Sequence, residues 1–219
     1  MILMKVRIRT HHANIAEVSE KKTVKIVVLA SGAGTLLQSI IDQQGAYQVV
    51  GVVSDIDCAA LERAQAAGIP TEIVSLAESR DRDDWNTRLV AAVEKHQPQL
   101  VVSAGFMKIV GKEFLARYGG RTINTHPALL PAFPGAHAVR DALAYGVKVT
   151  GSTVHFIDEG VDTGEIIAQQ AVDVRRGESE ADLHERIKQV ERKLIVSVLN
   201  SAVVVMNAET NCEEVFFHV

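Results

Sequence analysis

The chain has 219 residues, 47% of them hydrophobic, which suits one sizeable core and a single domain. With 23 basic against 27 acidic residues its formal net charge is −4, which argues against a chain built to neutralise a phosphodiester backbone, so nucleic acid is not an expected partner. Its two cysteines, Cys58 and Cys212, lack metal-ligand or CxxC spacing, which predicts no metal site and a reduced, cytoplasmic setting.

The opening residues, MILMKVRIRTHHANIAEVSEKK, hold no apolar run long enough for a signal peptide or a membrane span, because charges interrupt from Lys5 onward. Residues 1–24 are expected to be an extension without function, and no membrane partner is expected. From residue 25 a repeating pattern begins. KIVVLA (25–30) reads as a strand, SGAG as its turn, and TLLQSIIDQQ as a helix with Leu36, Leu37, Ile40 and Ile41 on one face. QVVGVVSD (48–55) gives a second strand, CAALERAQAAG a second helix, and IPTEIVS a third strand after the turn at Gly68. DDWNTRLVAAVEKHQ is a helix stopped near Pro98, and QLVVSAGFMKIV a strand that runs into a loop around Gly105.

RTINTHPALLPAFPG (121–135) begins as a strand with Asn124 and His126 on one face and Ile123 and Thr125 on the other. Pro127, Pro131 and Pro134 cannot continue a central ladder, so the strand ends at His126. HAVRDALAYG then forms a helix to Gly146. VTGSTVHFID and GEIIAQQAVDV read as two strands separated by EGVDTG, and a long helix over about 179–199 carries Leu183, Ile187, Val190 and Leu194 at core spacing. This alternation predicts an α/β fold: a Rossmann-like open, mostly parallel sheet with helices on both faces, spanning 25–205 and followed by a tail at 206–219.

Several segments suit chemistry, and each has a plainer reading. The two glycines of SGAGT let backbone N–H groups approach an anion at a helix N-terminus, although an ordinary tight turn has the same composition. A dinucleotide fingerprint would need a small residue at position 37, which is Leu37, so NAD is disfavoured. Asn124 and His126 sit at a strand tip, where open α/β sheets bind ligands, and they offer a hydrogen-bond donor and an acid or base to a carbonyl undergoing addition. A structural histidine beside a proline is the alternative. Asp162 lies between Gly160 and Gly164 in a loop that suits close approach to a ligand or another loop, or is simply a turn.

Residues 25 to about 199 resemble the phosphoribosylglycinamide formyltransferase family, the folate-dependent enzymes of purine synthesis. The resemblance rests on the order and spacing of LASGAGTLLQSII, LERAQAAGI, VVSAGFMKIV, INTHPALLPAFPG, GSTVHFIDEGVDTGEII and IKQVERKL. It implies the formyltransferase fold, a catalytic set of Asn124, His126 and Asp162, and 10-formyltetrahydrofolate as co-substrate without a metal. It gives Gly32, Ala33, Gly34 and Thr35 to the ribose phosphate of phosphoribosylglycinamide, and Phe106, Met107, Lys108, Ile109 and Val110 to the folate. Arg82 is implied as a further folate contact, with Arg80 competing for that role. Glu191 is implied to hold the glycinamide end, a solvated helix charge being the alternative.

His155 matches a family histidine near the site and equally fits a buried core position. The resemblance admits a homodimer. Ala33 and Leu36 stand where many relatives carry asparagines, which shifts phosphate contact onto backbone N–H groups and Thr35. Methionyl-tRNA formyltransferases and formyltetrahydrofolate hydrolases share the Asn, His, Asp logic but are expected to carry an additional domain. A nucleotide-binding oxidoreductase and a folate or phosphate sensor are the readings from other classes.

Overall fold

The computed structural model describes residues 23–207 and 212–218. The expected extension therefore lies outside the described residues up to position 22. The apolar run at its end becomes β1 (Val24–Ala30), followed by α1 (Thr35–Asp42), β2 (Tyr47–Ser54), α2 (Ala59–Ala66), β3 (Thr71–Ile73), α3 (Arg82–Glu94) and β4 (Leu100–Ser103). Then come α4 (Lys112–Tyr118), β5 (Thr122–His126), α5 (Ala138–Tyr145), β6 (Val149–Phe156), β7 (Ile166–Asp173) and α6 (Glu180–Asn200). The chain ends in β8 (Ala202–Asn207) and β9 (Cys212–Phe217).

Seven strands form one sheet in the order β3-β2-β1-β4-β5-β6-β7. The strands from β3 to β5 are parallel, whereas β6 runs antiparallel to β5 and β7 antiparallel to β6. The uninterrupted apolar run 26–30 of β1 follows from cover on both faces. Ile26, Val28 and Ala30 pack with Leu37 and Ile40 of α1, Leu61 of α2 and Ile195 and Leu199 of α6. Val27 and Leu29 pack on the other side with Trp85 and Leu89 of α3 and Phe114 and Tyr118 of α4. Trp85 is fully buried, and its indole N–H donates to the Val74 carbonyl at 2.8 Å, which satisfies the polar atom that burial would otherwise strand. Side-chain caps start two of these helices: Asp81 accepts from the Asp84 amide at α3, and Ser179 from the Asp182 amide at α6.

Two features depart from the sequence reading. The segment KEFLARY forms α4, only seven residues long, anchored by Phe114 and Tyr118 one turn apart. The residues after Asn200 form an antiparallel hairpin of β8 and β9, which buries Val215 in the α1/α2/α6 core and sets Phe217 against Phe156 with ring centroids 5.9 Å apart. Among the described residues no helix is long and apolar enough to cross a membrane.

The strand order positions the cleft. From β1 the chain moves to β2 and β3 on one side, then crosses to β4 and β5 on the other. A crevice therefore opens beyond the carboxyl ends of β1 and β4, flanked by the loops at 31–34 and 104–111, with the tip of β5 beside it.

Candidate active site

Strand alternation puts Asn124 and His126 on one face of β5. Asn124 stands opposite His155 of β6 in register, with its Nδ2 3.3 Å from His155 Nε2. His155 Nδ1 lies 2.8 Å from the Phe156 carbonyl oxygen, which can only accept, so Nδ1 carries the hydrogen. In the neutral ring Nε2 is then the acceptor for Asn124, and this orients the amide. Burial holds the His155 pKa below its ordinary value, with the Phe156 carbonyl and the Asp162 charge opposing that shift.

His126 is buried, and both its ring nitrogens face oxygen. Nε2 lies 2.8 Å from the Phe133 carbonyl and Nδ1 3.3 Å from Asp162 Oδ2. Two acceptors at the two nitrogens suit the doubly protonated ring. Asp162 adopts a left-handed backbone conformation, φ +55°, and its Oδ2 also accepts from the Gly135 amide at 2.7 Å. That bond joins the EGVDTG loop to the end of the proline-rich segment. Its other oxygen lies 3.6 Å from His155 Nε2. The glycines of the loop serve its own closure, because a Cβ at Gly164 would fall on the Phe156 carbonyl and one at Gly160 on the Thr163 hydroxyl. Asn124 and His126 on one strand and Asp162 from a loop far along the chain thus converge with His155 between them.

Glu191 approaches β5 from α6 beside Thr125, near enough to His126 for that ring to act on its carboxyl. Burial pushes the Glu191 carboxyl above its usual range, with the neighbouring Thr125 hydroxyl and the charge of Lys188 opposing. It is not the solvated helix charge that its position on α6 also allowed.

At SGAGT the two glycines differ. Gly34 is the N-cap of α1 at φ +67°, and a Cβ there would lie 2.6 Å from Ala60 Cα of α2. Gly32 has nothing within 4 Å of where its Cβ would be, and Gly32, Ala33 and Thr35 are exposed. No side chain caps α1, so its first amides have no internal side-chain acceptor. Leu36 is turned into the core, while Arg63 Nε donates to the Ala33 carbonyl at 2.9 Å and steadies the loop from α2.

The segment after β4 divides between core and cleft. Val110 is buried with the α3/α4 core, and Phe106 stacks on Trp85 at 6.2 Å with the rings 10° from parallel. Met107 and Ile109 stand 73% and 64% exposed, which makes them the apolar side chains that a ligand would cover. Lys108 is turned back, its Nζ 3.0 Å from Asp55 Oδ2. Of the two competing arginines, Arg82 reaches this loop: its guanidinium donates to the Ile109 carbonyl and lies 5.3 Å from the Trp85 ring centroid. Arg80 is instead paired with Asp84 at 2.7 Å and points to solvent. Sequence reasoning missed Phe133 and Gly135, whose backbone atoms rather than side chains do the work, and Asp55, whose signal was a carboxylate closing the apolar run QVVGVVSD.

Comparison with known proteins agrees with this architecture. A family model described as formyl transferase matches residues 24–199. The chain is 56% identical over 178 residues to the phosphoribosylglycinamide formyltransferase of Mycobacterium tuberculosis, a match covering 80% of this chain and 83% of the relative. The structure of phosphoribosylglycinamide formyltransferase from Streptococcus pneumoniae is similar at a TM-score of 0.75 and 40% identity, over 80% of this chain and 96% of that one. Glycinamide ribonucleotide transformylase 1 from Symbiobacterium toebii is similar at a TM-score of 0.80 and 35% identity, over 90% and 96% of the two chains. Identity of this extent, carried through the same fold, makes the chain a member of the phosphoribosylglycinamide formyltransferase family.

Proposed function

We propose that this protein transfers a formyl group from 10-formyltetrahydrofolate to the primary amine of phosphoribosylglycinamide, giving N-formyl phosphoribosylglycinamide and tetrahydrofolate in de novo purine (IMP) synthesis. The observation that carries this reading is the convergence of Asn124, His126 and Asp162 at the tip of β5, between an amide-rich loop and an apolar one. The catalytic unit is read as residues 25–205, acting in the cytoplasm on two small-molecule substrates, with no role given to residues 1–24.

The ribose phosphate binds the free amides of 32–35, where helix α1 adds its positive N-terminal end. The folate lies along 106–109, on Met107 and Ile109, with Arg82 holding the loop. The amine attacks the formyl carbon, and the electrons of the carbonyl move to its oxygen. Asn124 offers the Nδ2 hydrogen that His155 does not take. His126 Nε2–H donates once the substrate oxygen displaces the Phe133 carbonyl. Asp162 supplies the negative charge that steadies the imidazolium and accepts the proton leaving the amine, directly or through the ring. Collapse of the intermediate expels the folate nitrogen, which takes up the proton that Asp162 accepted from the amine. These steps require no metal ion. Glu191 holds the glycinamide end as an ion pair with its ammonium before the amine loses its proton.

The test is a spectrophotometric assay of the purified protein with the formylfolate donor, with and without phosphoribosylglycinamide. Donor consumption that depends on the acceptor is expected. Consumption without the acceptor would indicate a hydrolase, and no consumption would indicate a binding protein.

A further inference from the structure

Asp55, just beyond the end of β2, is a buried carboxylate beside the cleft that the proposed chemistry leaves unused. Its Oδ1 accepts the Ser31 hydroxyl at 2.5 Å, and its Oδ2 is paired with Lys108 Nζ at 3.0 Å. The Ser31 hydroxyl has a single hydrogen, which is given to Asp55. Its lone pairs are thereby turned to the Met107 amide, which donates to Ser31 Oγ at 2.9 Å. The Ser31 amide donates to the Gly105 carbonyl at 3.2 Å. Ser31 opens the loop read as the phosphate site, while Gly105, Met107 and Lys108 lie in the loop read as the folate site. The two loops are therefore stitched through one serine, and Asp55 fixes that serine's hydroxyl and the neighbouring lysine together.

Stability alone gives no reason for this arrangement, since an apolar side chain of similar volume would fill the space without the cost of desolvating a charge. We propose that Asp55 is a positioning residue, which holds the loops at 31–35 and 105–110 in one arrangement so that a single brace sets both substrate sites. The proposal rests on the formyl-transfer reading for the identity of the substrates, but not for the brace itself. It also explains why Lys108 is drawn back while Met107 and Ile109 stand out.

The test compares the full-length protein with Asp55→Ala and with the near-isosteric Asp55→Asn, which keeps an acceptor for Ser31 but removes the charge facing Lys108. Steady-state kinetics give both KM values and kcat, and hydrogen exchange reads the Met107 amide. In Asp55→Ala the KM values for phosphoribosylglycinamide and for the formylfolate should rise together by about tenfold, within the range typical of coupled sites. kcat should change little, and the Met107 amide should exchange faster while the amides of β1 keep their protection. Asp55→Asn should fall between wild type and Asp55→Ala, and it carries the test if the alanine variant does not fold. A rise in one KM only, a fall in kcat with both KM values kept, or unchanged Met107 exchange would overturn the proposal. If the wild-type protein shows no acceptor-dependent transfer, the functional reading fails instead, and Met107 exchange still decides whether the brace exists.

Discussion

Gly32 and Gly34 are two residues apart in one loop, yet they should respond oppositely to the same substitution. At Gly34 an alanine would meet two penalties. Its backbone is left-handed at φ +67°, which costs an L-residue about 1–2 kcal/mol. Its Cβ would lie 2.6 Å from Ala60 Cα and 2.8 Å from Ala60 Cβ, so α2 must move, an overpacking cost of about 1–3 kcal/mol. Together these predict a loss of about 2–5 kcal/mol, a fall in Tm of at least about 4 °C for a chain of this size. At Gly32 the Cβ meets nothing within 4 Å, so Gly32→Ala should change stability by less than about 0.5 kcal/mol. That Cβ instead occupies the open space above the loop where phosphate is proposed to sit, and the KM for phosphoribosylglycinamide should rise several-fold with the KM for the folate unchanged. Thermal melts and steady-state kinetics on both variants check this. A Gly34→Ala protein as stable as wild type, or a Gly32→Ala protein with both KM values normal, would show that the two glycines do not divide packing and binding in this way.

Glu191 and His155 give predictions with a pH signature. The Glu191 carboxyl is raised by burial, so the stability it contributes is complete below its unfolded value of about 4.5 and is lost as pH rises through the folded value. Glu191→Gln should therefore raise Tm at neutral pH and leave it unchanged near pH 4, while raising the KM for phosphoribosylglycinamide by about 10- to 100-fold through loss of a charge-assisted bond. His155 is lowered by burial, so its contribution is complete above its unfolded value of about 6.5 and is lost as pH falls through the folded value. His155→Gln should flatten the decline of Tm below that pH, and it should keep more kcat than His155→Leu because glutamine can still accept from Asn124. Asp162→Ala frees the Gly135 amide and removes the anion beside His126, so kcat should fall by about 100- to 10,000-fold with smaller changes in KM. A kcat within a few-fold of wild type would reduce Asp162 to a turn residue.

Strands β1, β2 and β4 were legible because each is almost wholly apolar, as in KIVVLA, and each is bounded by a turn signal. The antiparallel direction of β6 was not, since a strand covered on both faces carries no mark of its direction, and VTGSTVHF reads the same either way. α4 was missed because seven residues give too few periods for a pattern, leaving only the Phe114 and Tyr118 spacing as a clue. Within the site, Asn124 and His126 were placed on one face by alternation and halted by Pro127, a local argument that needed no tertiary contact. What holds them is non-local. The Phe133 carbonyl, the Gly135 amide and the His155 tautomer belong to segments whose approach depends on the chain path, and two of the three are backbone groups that residue identity does not reveal. Arg82 and Arg80 were inseparable in sequence, being two positions apart. The start of α3 separates them, because Arg80 turns back to Asp84 while Arg82 reaches the Ile109 carbonyl.

In the proposed mechanism Asn124 acts on charge that develops during formyl transfer rather than on substrate binding. The direct measurement is kcat of Asn124→Ala at saturating concentrations of both substrates, with binding of each measured separately. Removing one oxyanion donor predicts a fall in kcat of about 100- to 1,000-fold with both dissociation constants within about threefold of wild type. A variant that turns over at near wild-type rate, or one whose whole defect lies in binding, would rule out that role for Asn124.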